Sequence, residues 1–475
     1  MSGAADAAAR ADSGPTRAAL ADVDVAVVGA GVVGSAIARE LAGSALRVAL
    51  IDARADVGDA TSKANTAIWH TGFDAPPGTL ESRLVTRGWG LLGDYAERTG
   101  IPLERTGALL VAWTDEQVAA LDGLADKARA NGIHDCEIVD RDAVYAAVGT
   151  LGPGALAGLT VPGEGLICPW STTIALATDA LARGAEFVRS ARVTGVTVGA
   201  QATTLQTTRG PLDTRWVVNA AGLGADHLDA AFGYDRFHVT PRRGELIVYD
   251  KFARRLLDRI VLPVPTAKGK GVLVSPTVYG NVMVGPTSEN LEDRADTSTS
   301  ADGLDGLVAH TRRLLPRLAE EEITATYAGL RAATEHGDYV VDADAAQRYV
   351  CVGGIRSTGL TSSMALGEHV AGLLAEAGVP VEQRADLPDP PRLPPIGQQQ
   401  RRRYADGPAI AADPAYGQIV CFCERVTLGE IRDALASPLP PVDVDGLRRR
   451  TRATMGRCQG FACAATVTDL LAARR

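Results

Sequence analysis

The sequence predicts an α/β protein with three parts: a Rossmann-like dinucleotide-binding domain, an inserted and mostly antiparallel domain, and a small helical C-terminal domain. Three observations lead to this prediction. Residues 23–52 place a glycine-rich turn and a helical stretch between two β-branched runs. Residues 236–290 contain short apolar runs separated by turns, which favour an antiparallel sheet. Four of the seven cysteines lie close together in sequence near the C-terminus, which indicates a separate small domain.

The first predicted strand and helix carry the β-turn-α-β fingerprint of a dinucleotide site. Gly29 permits the tight turn, Gly31 lets the backbone approach a pyrophosphate, and Gly34 lets the helix pack closely on the strand. The helix N-terminus offers unpaired N–H groups and a partial positive charge to phosphates. Asp52 ends the second strand, where it is placed to accept hydrogen bonds from ribose hydroxyls.

Length and composition restrict the function classes. The 475 residues leave room for two or three domains, and a net charge of −9 argues against a nucleic-acid partner. No apolar run approaches the roughly 18 residues that span a bilayer. Residues 1–20 lack both a basic start and a continuous apolar segment, so they predict a flexible tail rather than a signal peptide. Cysteines without a targeting signal favour a reducing cytoplasm.

Two later strands end in small residues, as expected where the backbone of an α/β domain passes close to a ligand. A strand over 107–113 and an amphipathic helix over 171–184 precede a strand that ends in the small residues Ala221 and Gly222, where the backbone can pass close to a ligand. A later strand ends in glycines and leads into a helix over 362–377, which can aim a second helix dipole at the same ligand.

Composition also predicts the domain boundaries. Proline-rich sequence indicates a stiff linker between a large first domain and the cysteine-bearing C-terminal domain. The predicted ranges are 21–382 for the first domain, with the inserted subdomain at about 96–150 and 230–325, then 383–412 for the linker and 413–475 for the last domain.

Four motifs in order resemble the FAD-dependent D-amino-acid-oxidase and glycerol-3-phosphate-dehydrogenase superfamily over about 23–380: the glycine turn with its acid, the Thr61-Ser62 pair, the Asn219–Gly222 segment and the glycines after 353. The fingerprint alone leaves open an NAD enzyme or an inactive relative. The resemblance implies FAD as the cofactor. The residues assigned to it are Gly29, Gly31, Gly34, Asp52, Thr61, Ser62, Ala221, Gly222, Gly353, Gly354, Gly359, Leu360 and Thr361.

A second candidate site consists of four cysteines in the pattern C-x-C-x34-C-x4-C: Cys421, Cys423, Cys458 and Cys463. Four thiolates in one small domain suit a soft metal or an iron–sulfur cluster. Zinc is the alternative, although structural zinc sites usually space paired ligands as C-x2–4-C.

The segments around these cysteines resemble the bacterioferritin-associated-ferredoxin-like [2Fe-2S] domain. The second pair in that domain is usually C-x2-C. The longer spacing here resembles the version fused to anaerobic glycerol-3-phosphate dehydrogenase catalytic subunits. The resemblance implies a [2Fe-2S] cluster held by the four cysteines.

Three residues are candidates for the substrate site. Arg331 matches the anion-binding arginine of the superfamily, and its fork suits a carboxylate or phosphate; Ala332 stands where a proline usually follows. His70 matches a histidine near the flavin, so it is the candidate base, with simple packing or flavin orientation as the alternative. Arg243 is a second candidate anion contact, with a solvated strand end as its alternative.

The arginine-rich stretch of the C-terminal domain admits two interpretations. Arg448, Arg449, Arg450, Arg452 and Arg457 contribute to nine arginines against six acidic residues from position 416 onward. A solvated face is one interpretation. The other is a docking surface for an acidic electron carrier or partner subunit.

Together the motifs imply an FAD-dependent dehydrogenase that oxidises a small anionic alcohol and releases electrons through a [2Fe-2S] cluster. The resemblance favours sn-glycerol 3-phosphate or a related polyol phosphate. The alternatives are an L-2-hydroxy acid or an amino acid or amine, and an electron-transfer flavoprotein subunit without its own substrate. The expected partner is an electron-acceptor protein or subunit, with quinone linkage and peripheral attachment to the inner membrane as one arrangement.

Overall fold

The computed structural model describes residues 22–265 and 271–473, so the predicted tail at 1–20 lies outside the described residues. The strands are β1 (Val23–Val28), β2 (Val48–Ile51), β3 (Ile68–Trp69), β4 (Leu103–Glu104), β5 (Ala108–Ala112), β6 (Glu137–Asp140), β7 (Ala157–Val161), β8 (Gly165–Ile167), β9 (Glu186–Val188), β10 (Val193–Val198), β11 (Thr203–Thr207), β12 (Gly210–Asn219), β13 (Thr240–Tyr249), β14 (Ile260–Pro263), β15 (Leu273–Pro276), β16 (Val282–Gly285), β17 (Glu289–Asn290), β18 (Ile323–Ala333), β19 (Val340–Asp344), β20 (Tyr349–Gly353), β21 (Ile419–Cys421) and β22 (Val426–Thr427).

The α-helices are α1 (Val32–Leu41), α2 (Leu80–Thr99), α3 (Asp115–Ala119), α4 (Leu121–Ala130), α5 (Arg141–Ala147), α6 (Pro169–Ala182), α7 (Ala225–Ala231), α8 (Ala301–Leu314), α9 (Gly359–Glu376), α10 (Gly407–Ala412), α11 (Leu428–Ala436), α12 (Val444–Thr451) and α13 (Ala464–Ala472). None of the helices within the described ranges combines the length and apolar character that crossing a membrane requires.

The first sheet is the Rossmann-like core. β1 lies between β2 and β12 and is parallel to both, and β20 and β9 extend the parallel part on either side. The alternating valines Val25 and Val27 are fully buried, because helices cover this part of the sheet. α1 packs on α6 and α9, so the helices after both glycine-rich turns meet on one face.

The second sheet is mostly antiparallel, as the sequence predicts. Its strands run in the order β17-β13-β16-β15-β14-β5-β7-β6, with β18 on the other side of β13. Within this second sheet, the described pairings are antiparallel except that between β5 and β14. The sheet also takes in β7 and the end of β18, which lie outside the ranges predicted for the inserted subdomain. The combination of a Rossmann-like sheet and an antiparallel sheet confirms the predicted fold class.

The C-terminal domain is a β21–β22 hairpin with the short helices α11, α12 and α13 around a small apolar core. α11 begins with a capping box between Thr427 and Glu430. The preceding proline-rich segment is held along the first domain by backbone hydrogen bonds, Leu393 N to Thr99 O at 2.8 Å and Gln398 N to Val278 O at 2.8 Å.

Candidate active site and thiol cluster

The glycine-rich turn after β1 has the geometry that phosphate binding requires. Gly29 adopts a φ of +111°, and a Cβ at Gly34 would lie 1.8 Å from the Gly29 carbonyl oxygen, so both positions need glycine. The Asp52 carboxylate is fixed beside the turn, because it accepts hydrogen bonds from Ala30 N and Arg54 N, each at 2.7 Å. Burial raises the pKa of Asp52.

A cavity of about 1750 Å³ extends from this turn to the second sheet. It exceeds the ~300–1,000 Å³ of ordinary small-ligand pockets, which leaves room for an extended dinucleotide together with a substrate. Eleven of the thirteen predicted cofactor residues line it: Gly29, Gly31, Asp52, Thr61, Ser62, Ala221, Gly222, Gly353, Gly354, Gly359 and Leu360. Four segments far apart in sequence therefore converge on one cradle that fits FAD.

The other two predicted residues, Gly34 and Thr361, lie behind the cavity wall. Gly34 lets α1 pack against the turn at Gly29. Thr361 is fully buried, and its Oγ1 accepts a hydrogen bond from the backbone N–H of His70 at 3.0 Å. Thr361 therefore supports the candidate base and does not line the cavity.

His70 lines the cavity and is paired with a carboxylate that the sequence analysis did not identify. Its Nδ1 lies 3.0 Å from Glu164 Oε2. Glu164 is fully buried, and its Oε1 accepts hydrogen bonds from Thr71 N at 2.6 Å and Thr71 Oγ1 at 2.9 Å. A carboxylate at Nδ1 keeps the proton on that nitrogen and makes Nε2 the basic atom.

Arg331 lines the same cavity from β18. Its guanidinium donates to the carbonyl oxygen of Thr287 at 2.9 Å and weakly to those of Arg242 and Arg243, each at 3.5 Å. Within the described part of the chain no carboxylate forms an ion pair with it. Burial, together with the nearby charge of Arg242, lowers the pKa of Arg331 to about 10. A desolvated cation without a counter-ion among the described residues has the chemistry to pair with an anionic ligand.

Arg243 is not part of this site, so the geometry does not support the prediction of a second anion contact there. Its guanidinium is paired with Glu289 at 2.6 Å and Asp296 at 3.3 Å. Successive residues of a strand point to opposite faces. Arg242, one position earlier on β13, lines the cavity instead.

The four C-terminal cysteines come together in two pairs. Burial raises the pKa of Cys423 and of Cys463, and so do neighbouring thiols: Cys458 acts on Cys423, Cys421 acts on Cys463, and charges also act between the two pairs. Two thiol pairs form the donor set of a two-iron cluster, in which each iron takes two protein ligands. Across residues 22–265 and 271–473, no three metal-binding side chains are arranged around a single ion position.

The two pairs differ in exposure. Cys421 and Cys463 are buried, whereas Cys423 and Cys458 are half-buried. Hydrogen bonds from backbone N–H groups, of which that from Ala462 has the largest effect, lower the pKa of Cys458. Two large apolar side chains flank the ligands and face solvent: Phe422 is 71% exposed and Phe461 is 95% exposed. One edge of the site is therefore accessible from the surface.

The arginine-rich stretch holds the C-terminal domain on the first domain. Its buried arginines therefore form neither a solvated face nor a docking surface for a partner protein. Arg449 and Arg450 form ion pairs with Asp56, at 2.9 and 2.7 Å. Arg452 pairs with Glu424 at 2.7 Å and lies over the Tyr279 ring, 3.9 Å from its centroid. Outside this buried group, Arg448 is partly exposed and pairs with Asp445, and Arg457 pairs with Asp250 and Glu322.

Comparisons with known proteins agree with these two sites. The model of the FAD dependent oxidoreductase family matches residues 24–373, and that of the BFD-like [2Fe-2S] binding domain matches residues 419–473. A glycerol 3-phosphate dehydrogenase of Caloramator mitchellensis is 34% identical over 455 residues, 94% of each chain. A glycerol 3-phosphate oxidase of Mycoplasma genitalium is 30% identical over 364 residues, 74% of this chain and 94% of the relative.

A solved structure shares the fold of the first two sheets. It is the dithionite-reduced L-alpha-glycerophosphate oxidase of Mycoplasma pneumoniae with FAD bound, with a TM-score of 0.75 and 27% identity, covering 79% of this chain and 100% of that one. The resemblance inferred from the motifs is thus confirmed. The chain belongs to the FAD-dependent oxidoreductase family, and it is an enzyme whose cofactors are FAD and a [2Fe-2S] cluster in its C-terminal domain.

Proposed function

We propose that this enzyme is a dehydrogenase that oxidises sn-glycerol 3-phosphate, or a related polyol phosphate, to the corresponding ketone such as dihydroxyacetone phosphate. The observation that carries the proposal is the juxtaposition of Arg331 with the His70–Glu164 pair in one cavity. The glycerol 3-phosphate dehydrogenase and oxidase relatives support the substrate class.

Each residue has a role in this reaction. Arg331 binds the phosphate, because its fork matches a tetrahedral dianion and no carboxylate among the described residues compensates its charge. His70 Nε2 accepts the proton of the substrate hydroxyl, while Glu164 holds the ring and stabilises its charged form. FAD, when bound, supplies the acceptor for the hydride that leaves the carbon bearing that hydroxyl.

The [2Fe-2S] cluster of the C-terminal domain supports a dehydrogenase over an oxidase, because electron transfer from a flavin to dioxygen needs no second electron carrier within the protein. The cluster provides a one-electron outlet, and its exposed edge beside Phe422 and Phe461 is where we place the external acceptor. That acceptor is an electron-transfer protein or subunit, and it can be quinone-linked.

Anaerobic flavin bleaching tests the proposal. The oxidised enzyme is mixed with sn-glycerol 3-phosphate, L-2-hydroxyglutarate or proline, and loss of the flavin absorbance is followed. Rapid bleaching by the phosphate ester alone is expected. Bleaching by the hydroxy acid or amino acid instead would assign Arg331 to a carboxylate. Bleaching only by NAD(P)H or a protein donor would indicate an electron carrier without its own substrate.

A further inference from the structure

The segment from Asp52 to Lys63 is shared between the flavin site and the C-terminal domain. Its first residues and the pair Thr61-Ser62 line the cavity. Its middle residues contact α12, which lies nearly four hundred residues later in the chain. The same segment therefore has one side toward the cofactor and the other toward the cluster-bearing domain.

On the cofactor side, this segment is tied to the glycine-rich turn. Gly58 N donates to the Ala30 carbonyl oxygen at 2.8 Å. Ser62 Oγ accepts a hydrogen bond from Val32 N, at the start of α1, at 3.0 Å. A shift of the segment would therefore displace groups that surround the pyrophosphate position.

On the other side, the segment is held by buried ion pairs. Both oxygens of Asp56 accept from Arg450, at 2.7 and 2.8 Å, and Oδ2 also accepts from Arg449 at 2.9 Å. The Asp56 and Arg449 side chains are each 4% exposed. Lys63 adds a second contact, because its Nζ lies 2.8 Å from Asp445.

These charges depend on each other. A buried carboxylate between two buried guanidinium groups is stable only while all three remain together, because losing one partner leaves an uncompensated buried charge. If α12 moves away, Asp56 loses the two cations that hold it, and the segment is no longer fixed on that side. Docking of the C-terminal domain and the shape of the flavin site are therefore linked.

We propose that the C-terminal domain is a structural part of the flavin site: α12, through Arg449 and Arg450, positions the Asp52–Lys63 segment for FAD. Flavin affinity then depends on domain docking, and by linkage FAD binding tightens the docking of that domain. Arg449, Arg450 and Asp56 are positioning residues, since they act through the segment. The inference rests on the two cofactors and not on the proposed substrate.

The test measures the FAD dissociation constant by flavin fluorescence on full-length enzyme that retains its cluster. Arg450→Gln and Asp56→Asn are each expected to weaken FAD binding at least tenfold. The double variant is expected to lose less FAD affinity than the product of the two single-variant losses, because both substitutions remove the same ion pair. Arg432→Gln, at an exposed ion pair with Asp413 in the same domain, is the matched control and should leave FAD affinity unchanged.

Two further measurements keep the proposal falsifiable if a neutral variant fails to fold. Arg450→Lys keeps the charge but loses the bidentate geometry, so an intermediate FAD affinity is expected. Wild-type enzyme stripped of FAD should show faster amide hydrogen exchange in α12, residues 444–451. Wild-type FAD affinity in folded Arg450→Lys and Arg450→Gln, or unchanged exchange in α12 after flavin removal, would overturn the proposal.

Discussion

His70 Nδ1 lies 3.0 Å from Oε2 of Glu164, a fully buried carboxylate 94 positions later in the chain. Two hydrogen bonds from Thr71 hold the other oxygen of that carboxylate. The ring is therefore oriented by a group that is itself fixed, which is the arrangement that general bases require.

Replacing Glu164 with Gln is expected to slow substrate-driven flavin reduction by about 10²-fold, because the amide no longer stabilises the protonated imidazole. His70→Asn should slow it by about 10²–10⁴-fold. Anaerobic stopped-flow bleaching across pH measures both rates. FAD affinity should not change, and a Glu164→Gln enzyme with the wild-type rate and pH profile would contradict the assignment.

Arg331→Ala should raise KM for the anionic substrate by the equivalent of about 2–5 kcal/mol, because a buried cation that pairs with the substrate is removed. Arg331→Lys should recover part of the loss, since it keeps the charge without the fork. Steady-state kinetics measure the effect.

Arg243→Ala is the control for this series, because Arg243 lies on the opposite face of β13 and is paired with Glu289. Its KM should stay at the wild-type value. An equal increase in both variants would mean that the whole sheet, rather than Arg331, determines substrate affinity.

Cys458→Ser should remove the red-brown absorption of the cluster and its iron, while sn-glycerol 3-phosphate still bleaches the flavin. Transfer onward to a one-electron acceptor should then fail, because the flavin has lost its outlet. Cys136→Ser is the control, since Cys136 is a free thiol in the first domain and should leave iron content unchanged. Full cluster content in Cys458→Ser would remove it from the ligand set.

Acid should selectively weaken the contact between the two domains. Burial opposes ionisation of Asp56, but hydrogen bonds and charges from Arg450 and Arg449 outweigh it and lower its pKa. A carboxyl group with a lowered folded-state pKa stabilises the fold above its unfolded value of about 3.9. This contribution is lost as pH falls through the folded-state pKa.

The measurable quantity is the free energy of unfolding of wild type minus that of Asp56→Asn. It should stay at ~3–5 kcal/mol from pH 8 to about 5 and begin to shrink below about pH 4, where the unfolded carboxyl binds a proton. It should become small only below the lowered folded-state pKa, where the Asp56 side chain is neutral in both states. Urea titrations at several pH values give this difference. A difference that does not depend on pH, or that shrinks toward alkaline pH, would refute the ionic origin of the contact.

Local sequence was sufficient for the elements whose cause is local. The positive φ of Gly29 and the close contact of Gly34 with the Gly29 carbonyl arise within a few residues, and the capping box of α11 lies within one turn of helix. The four cysteines could be grouped because a shared chemical requirement links them across 34 intervening residues.

The missed features depend on pairing between distant segments. Glu164 is a single acid in a loop, and only the fold brings it to His70. The choice between Arg242 and Arg243 depends on the register of β13 against β18, which no local pattern reveals. A run of arginines ordinarily indicates a solvated surface. Here Asp56, nearly four hundred positions earlier, makes Arg449 and Arg450 interior residues.

The position of these arginines has a consequence for biosynthesis. A ribosome releases the Asp52–Lys63 segment nearly four hundred residues before the helix that contacts it. If that helix positions the segment as proposed, the prosthetic-group pocket is completed only after the helix has been synthesised. A polypeptide that stops before this helix would carry most of the catalytic fold without the ion pairs to Asp56, and we expect it to bind its prosthetic group weakly.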